Sequence, residues 1–135
     1  MNHDMTANME MLLNAARAVV KNAYAPYSKL KVGAAALFDD GAVITGVNVE
    51  NASFGLTICA ERTALASAIS QGNRRLRALA IASSAGAALP PCGACRQVIA
   101  EFSDGDTIVV LDGDGGKVET HLISELLPLA FTFPV

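Results

Sequence analysis

All three cysteines of this chain lie in two short motifs, Cys59-Ala60-Glu61 and Pro91-Cys92-Gly93-Ala94-Cys95. That arrangement constrains the fold more than any other feature, because motifs well separated along the chain must converge if their sulfurs are to share one ion. Three thiolates beside a carboxylate make a catalytic metal set. Structural zinc usually takes four protein ligands, whereas three leave one position open for water. Neither histidine completes a fourth corner: His3 lies in the N-terminal tail, and His121 lies on an expected edge strand. A Cys92–Cys95 disulfide would leave Cys59 unpaired. The bland alternative is a zinc-stapled fold in which Glu61 is merely a carboxylate favoured by a helix N-terminus.

With 135 residues the chain reads as one domain, residues 1–135, long enough to bury a core. It is 52 % hydrophobic and only 17 % charged. So few charges on a small chain imply further surface hidden against copies of itself. Ten Lys and Arg stand against thirteen Asp and Glu, a net charge of −3. The densest basic run, Arg74-Arg75-Leu76-Arg77, follows Gly72-Asn73 and reads as a solvated loop. This balance disfavours nucleic acid as substrate. No apolar run is long enough to span a membrane, and Met1 to Glu10 lacks the pattern of a secretory signal. Three cysteines in so small a chain suit a reducing compartment and a metal, so the cytoplasm is the expected location.

Apolar residues recur with helical spacing from Met9 to Ala23, and Ala25-Pro26-Tyr27-Ser28 ends that helix. Lys31–Phe38 and Ala42–Asn48 read as a hairpin turned at Asp39-Asp40-Gly41. Asn51–Thr57 reads as a loop. A second helix opens at Cys59 and stops at Gly72, and Leu76–Ala82 is a strand buried on both faces. A third helix covers Cys92–Phe102, ended by Asp104-Gly105, and Thr107–Leu111 is a further strand. Asp112-Gly113-Asp114-Gly115-Gly116 turns into an edge strand, Lys117–His121; the run lacks the twelfth-position Glu of a calcium loop. Ser124–Phe131 reads as a last helix capped by Ser124 and disturbed by Pro128. The expected fold is α/β: one five-stranded mixed sheet with helices on both faces, built from a hairpin and two crossover units.

Both cysteine motifs therefore fall at helix starts, where partial positive charge favours thiolates. Cys92 and Cys95 share one face of a first turn. Glu61 leaves its helix in another direction and stands beside the ion as a general acid–base. Three thiolates give a zinc site a net charge of −1, and Arg62 is placed to offset it at the sulfurs, with Arg96 a second candidate.

C-x-E followed by P-C-x-x-C matches the signature of zinc-dependent deaminases in its all-cysteine form. The stretches Asn48-Val49-Glu50-Asn51-Ala52-Ser53, Cys59-Ala60-Glu61-Arg62-Thr63-Ala64 and Pro91-Cys92-Gly93-Ala94-Cys95-Arg96-Gln97-Val98 resemble the small homotetrameric cytidine deaminases. The likeness continues in Ala25-Pro26-Tyr27-Ser28-Lys29, Val32-Gly33-Ala34-Ala35 and Glu125-Leu126-Leu127-Pro128, so it covers nearly the whole chain. It implies hydrolysis of cytidine and deoxycytidine to uridine and deoxyuridine, with zinc held by Cys59, Cys92 and Cys95. It implies that Glu61 protonates N3 and then the departing amine, and that Asn48 and Glu50 hold the ribose. A carboxamide and a carboxylate two apart on a strand end point the same way, which suits that role.

The same resemblance puts Ala60, Leu30, Phe54 and Phe131 at the substrate. Leu30 stands where the family usually has a phenylalanine on the base-pocket wall, and Phe54 where it usually has a tyrosine. Phe131 matches an aromatic that reaches into a neighbouring subunit's site, so a homotetramer is implied. Three competing readings are a nucleic-acid-editing deaminase, a deaminase of a modified or antibiotic cytosine nucleoside, and an inactive zinc-stabilised binding module. The acidic balance and Cys59 in place of His disfavour the first, Asn48 and Glu50 favour a plain ribose over the second, and Glu61 speaks against the third.

Overall fold

The computed structural model describes residues 3–134, and side chains from residue 8 onward. The side chains of the first seven residues, His3 included, lie outside the described ones, but the backbone is already helical at His3, ahead of the expected start at Met9. Among the described residues four α-helices and five strands follow one another as α1 (His3–Val19), β1 (Val32–Phe38), β2 (Val43–Val47), α2 (Ala60–Ser70), β3 (Leu76–Ser83), α3 (Gly93–Glu101), β4 (Ser103–Asp112), β5 (Val118–Leu122) and α4 (Ile123–Leu126). The strands form one sheet in the order β2-β1-β3-β4-β5. β1 runs antiparallel to both β2 and β3, β3 and β4 are parallel, and β5 closes the edge antiparallel to β4. The hairpin and the two crossovers through α2 and α3 form as expected.

Strand alternation sends each residue to one of two unlike faces. Leu79, Ile81, Val109 and Leu111 pack with Leu65 of α2, Ile99 of α3 and Ile123 of α4. Their neighbours Ala78, Ala80, Ala82 and Val110 face Leu12, Leu13 and Ala16 of α1. Two glycines set how closely the helices approach. A Cβ on Gly33 would lie 2.3 Å from the carbonyl oxygen of Ala16, so α1 rests on bare backbone there. On the opposite face a Cβ on Gly46 would lie 2.3 Å from the Ala64 nitrogen and 2.8 Å from the Ala60 oxygen. Gly46 thus lets the first turns of α2 sit against β2, and that contact carries Cys59 and Glu61 with it.

Boundaries differ from expectation where side chains or pairing compete. The first helix ends at Val19 and tightens into a 3₁₀ turn, Val20–Asn22, instead of continuing to Ala23. Ala23 is already extended, and the Tyr24 amide donates to the Asn48 carbonyl at 3.0 Å. Asp104-Gly105 do not separate helix from strand. They lie inside β4, in an irregular stretch between the pairs Leu76–Ser103 and Ala78–Ile108. Within 51–57, Phe54–Leu56 forms a 3₁₀ turn. The last helix covers four residues only, and Ser124 does not cap it: its hydroxyl donates to the Gly105 carbonyl, and the Leu122 amide is taken by the Glu125 carboxylate. Pro128 lacks an N–H to continue the helix, and Leu129 turns to a φ of +53°.

The basic run is loop only as far as Arg75: the buried Leu76 and Arg77 already belong to β3, and the exposed Arg75 and Arg77 both reach Asp39, at 3.2 and 4.0 Å. The Asp112-to-Gly116 stretch is the hairpin turn expected, with Gly115 and Gly116 at positive φ. No helix among the described residues is long and apolar enough to cross a membrane.

Candidate active site

Cys59 is the N-cap of α2 and Cys92 the N-cap of α3. Cys95 follows on the same face of α3 and is fully buried. The side-by-side helices bring the three sulfurs within 4.8 Å of one another, and no other His, Cys, Asp or Glu joins them among the described residues. Three soft donors converging at two helix starts fit one zinc ion with an open position. Their proton chemistry is already biased toward a shared negative charge. The Cys59 thiol is pulled down to about 5, first by the neighbouring Cys95 thiol, against burial, and then by Arg62. Cys95 is pushed up, because its thiol bonds to Cys59 and because it is buried.

Arg62 places Nη2 3.5 Å from the Cys59 sulfur. Contacts to Cys59 and Cys95 hold its guanidinium firmly charged, so the charge offset expected of Arg62 has its geometry. Arg96 does something else. Its Nε donates to the Pro91 carbonyl at 2.7 Å and its Nη1 to the Leu126 carbonyl at 2.8 Å. It clamps the loop before Cys92 to the end of α4, and its donors go to carbonyls, leaving the sulfurs to Arg62. Glu61, in the first turn of α2, is only 5 % exposed. Burial, the largest influence, raises its pKa above the usual carboxylate range, and the Cys59 charge adds to this. A buried carboxyl of raised pKa holds its proton more readily than an ordinary one, which suits a group that accepts a proton and returns it.

Cys59, Ala60, Glu61 and Cys92 line a cleft of about 220 Å³ together with Leu30, Asn48 and Glu50, while Cys95 is fully buried and outside its lining. Asn48 and Glu50 lie past the end of β2, on either side of Val49, which bridges Tyr24 and Ile58. Asn48 and Glu50 are both buried and Val49 is exposed. The Asn48 Oδ1 accepts from the Val32 amide at 2.8 Å, and its Nδ2 donates to the Leu30 carbonyl at 2.8 Å. Glu50 takes the Tyr27 and Ser28 amides on Oε1 and the Ser28 hydroxyl on Oε2. The Ser28 hydroxyl, foremost, and these amides outweigh desolvation and hold the Glu50 carboxyl below its ordinary range.

The chain that builds this cleft is similar to known proteins over most of its length. Residues 6–111 match the family described as the cytidine and deoxycytidylate deaminase zinc-binding region. The chain belongs to the cytidine deaminase family. It is 51 % identical over 123 residues to a cytidine deaminase of Halalkalibacterium halodurans, covering 91 % of this chain and 93 % of that one. Its fold is similar to the crystal structure of the cytidine deaminase from Burkholderia pseudomallei, with a TM-score of 0.85 and 46 % identity over 97 % of this chain and all of the other. The cytidine deaminase from Mycobacterium tuberculosis gives 0.80 and 44 %, covering 92 % of this chain and 97 % of that one. The five-stranded α/β architecture is the family's.

Within this family frame, the structure brings most of the sequence-derived residues together and leaves two apart. Leu30 and Ala60 line the cleft beside Asn48, Glu50 and Glu61. Phe54 does not; it stands on an adjoining groove, 72 % exposed, with its ring edge-to-face against Tyr27 at 5.6 Å. Phe131 lies in the C-terminal segment, 69 % exposed, where Gln97 donates to its carbonyl. Sequence reasoning had no role for Ser28, Thr57, Ile81, Leu89 or Pro90, which also line the cleft. Only the proline-tyrosine-serine run pointed near Ser28, and nothing local linked it to a glutamate 22 positions on.

Proposed function

We propose that this chain deaminates cytidine and deoxycytidine hydrolytically, giving the uracil nucleosides and ammonia, as a zinc enzyme of pyrimidine salvage. One observation carries the reading: a buried glutamate of raised pKa lines a single cleft with two cysteines of a three-sulfur cluster and with the Asn48–Glu50 pair. Zinc bound by Cys59, Cys92 and Cys95 would lower the pKa of a water at its fourth position and so supply the nucleophile. Glu61 would take one proton from the attacking water and give it to the ring nitrogen N3, then take the second proton from the hydroxyl added at C4 and deliver it to the amine, which leaves as ammonia while the C4 carbonyl forms. Arg62 tempers the charge of the thiolates. Asn48 and Glu50 bind a sugar hydroxyl and orient the base, with Ala60 and Leu30 against the ring. Leu30 leaves that wall aliphatic, which favours tolerance of altered cytosine nucleosides.

The active form is a homotetramer in this reading, with Phe131 reaching into a neighbouring subunit's site. Its support is the apolar surface left bare: Phe54, Leu56, Leu129, Phe131 and Phe133 are each more than half exposed. The substrate is a free nucleoside, with no nucleic acid and no membrane involved, and the cytoplasm is the location. The test is loss of cytidine absorbance with wild type and Glu61→Gln, alongside zinc content by elemental analysis. Glu61→Gln should keep its zinc and lose turnover by about 10²–10⁴-fold. Equal turnover by both would remove Glu61 from the chemistry, and a zinc-loaded wild type inert on every cytosine nucleoside would move the function to another amine.

A further inference from the structure

Three of the roughly four acceptor positions of the Glu50 carboxylate are already occupied by the protein. Oε1 accepts the Tyr27 amide at 2.9 Å and the Ser28 amide at 3.1 Å, and Oε2 accepts the Ser28 hydroxyl at 2.5 Å. One acceptor position remains, on Oε2. The Ser28 hydroxyl is itself constrained, since its oxygen accepts the Leu30 amide at 3.0 Å while its proton is committed to Glu50. Lys29 between them is held at a φ of +63°, a left-handed conformation uncommon outside glycine. The surrounding contacts maintain it, including the Lys29 amide bonded to the Ala25 carbonyl. Asn48 pins the next residues, using one acceptor and one donor on Val32 and Leu30 and keeping one N–H free. What these residues leave unused is one acceptor position on Glu50 and one N–H on Asn48, a set that suits a hydroxyl able both to donate and to accept.

We propose that Ser28 is the positioning residue of the sugar subsite, fixing the Glu50 carboxylate so that one acceptor alone faces the substrate hydroxyl. The inference rests on the reading of Asn48 and Glu50 as the sugar-binding pair. Ser28 touches no reacting atom, and it acts through Glu50. Without its hydroxyl, Oε2 gains a second open position and the carboxylate loses a restraint on its rotation, so the cost falls on substrates that carry the hydroxyl.

The experiment compares kcat and KM for cytidine and for 2′,3′-dideoxycytidine, which lacks both ring hydroxyls, in wild type, Ser28→Ala, Ser28→Thr and Glu50→Gln. We expect the cytidine-over-dideoxycytidine ratio of kcat/KM to drop on the order of tenfold in Ser28→Ala, the strength of one hydrogen bond to a charged group. The loss should appear in KM for cytidine, and Ser28→Thr, which keeps the hydroxyl, should restore the ratio to within about threefold. An equal loss on both nucleosides would mark a general packing role and overturn the proposal, as would a Ser28→Thr ratio as low as that of Ser28→Ala. If wild type discriminates, Glu50→Gln abolishes the discrimination and Ser28→Ala preserves it, the Ser28 assignment alone falls. A wild type indifferent to the ring hydroxyls would overturn the sugar-binding pair and Ser28 with it.

Discussion

The two faces of the sheet are built by the same device and used for different ends. On each, a glycine lets a helix backbone touch a strand: Gly33 under α1, Gly46 under α2. The α1 face is otherwise alanine-rich, and its far-reaching polar contact is structural. Arg17 grips Asp112 through Nε and Nη2, at 3.0 and 2.7 Å, tying α1 to the end of β4. On the opposite face the helix starts bring three thiols together, with the Arg62 guanidinium on the Cys59 sulfur, and place Cys59, Cys92 and the buried Glu61 on the wall of one cleft. Close helix–strand packing is therefore a scaffold on one side, and on the other it also sets the distance between reacting groups.

Substitutions at the matched glycines should separate those uses most sharply. Gly46→Ala must displace the backbone of α2, because the atoms met are a peptide nitrogen and a carbonyl oxygen that cannot rotate away. We expect a loss of about 3 kcal/mol or more by thermal or urea unfolding. Among the molecules that remain folded, zinc content and turnover should fall at least about tenfold, since misplacing catalytic groups is costly. Gly33→Ala should destabilise comparably while leaving turnover per folded molecule within about twofold. Equal damage to activity from both would erase the distinction between the faces.

A smaller effect is expected from Arg17→Ala, about 1 kcal/mol of stability and no change in KM. The pair has good bidentate geometry, but the Arg17 side chain is 36 % exposed and solvent screens it. A double-mutant cycle with Asp112→Ala measures the coupling, and a change in KM would place α1 within the functional side.

The gentlest test uses pH, where the two carboxylates of the cleft should part. Glu50 has a lowered pKa, so its ionised form persists above its ordinary value of 4.5 and is lost only as pH falls through the lower folded value. KM for cytidine should stay flat from pH 8 to 5.5. Glu61 has a raised pKa, so its proton-accepting form is lost at higher pH than an ordinary carboxylate would lose it. The acid limb of kcat should accordingly lie above 4.5. A KM that climbs together with the fall in kcat would show that Ser28 and the loop amides do not hold Glu50 ionised.

Much of this was legible in the chain because it depends on local spacing. Cys-x-Glu and Cys-x-x-Cys at helix starts need only the pitch of a helix to place thiolates on one face and a carboxylate on another. The alternating and continuous apolar runs of β1, β3 and β4 needed only the pleat. The misread boundaries are those decided by distant partners. Ser103 extends β4 because Leu76 pairs with it, and Ser124 fails as a cap because Gly105 takes its hydroxyl. Arg96, two carbonyls away from the sulfur role first given it, was misassigned for the same reason.

By itself, then, the sequence determined the three cysteines and the glutamate of two helix-start motifs and the order of helices and strands, all encoded within a few residues of each other. Only the tertiary structure decided that Ser28 and the Tyr27 amide occupy most of Glu50, that Arg62 and not Arg96 faces the sulfurs, and that Phe54 and Phe131 stand away from the cleft. Those outcomes depend on hydrogen-bond partners and packed surfaces tens of residues apart, whose competition is settled when the sheet closes and each buried polar group must find a partner.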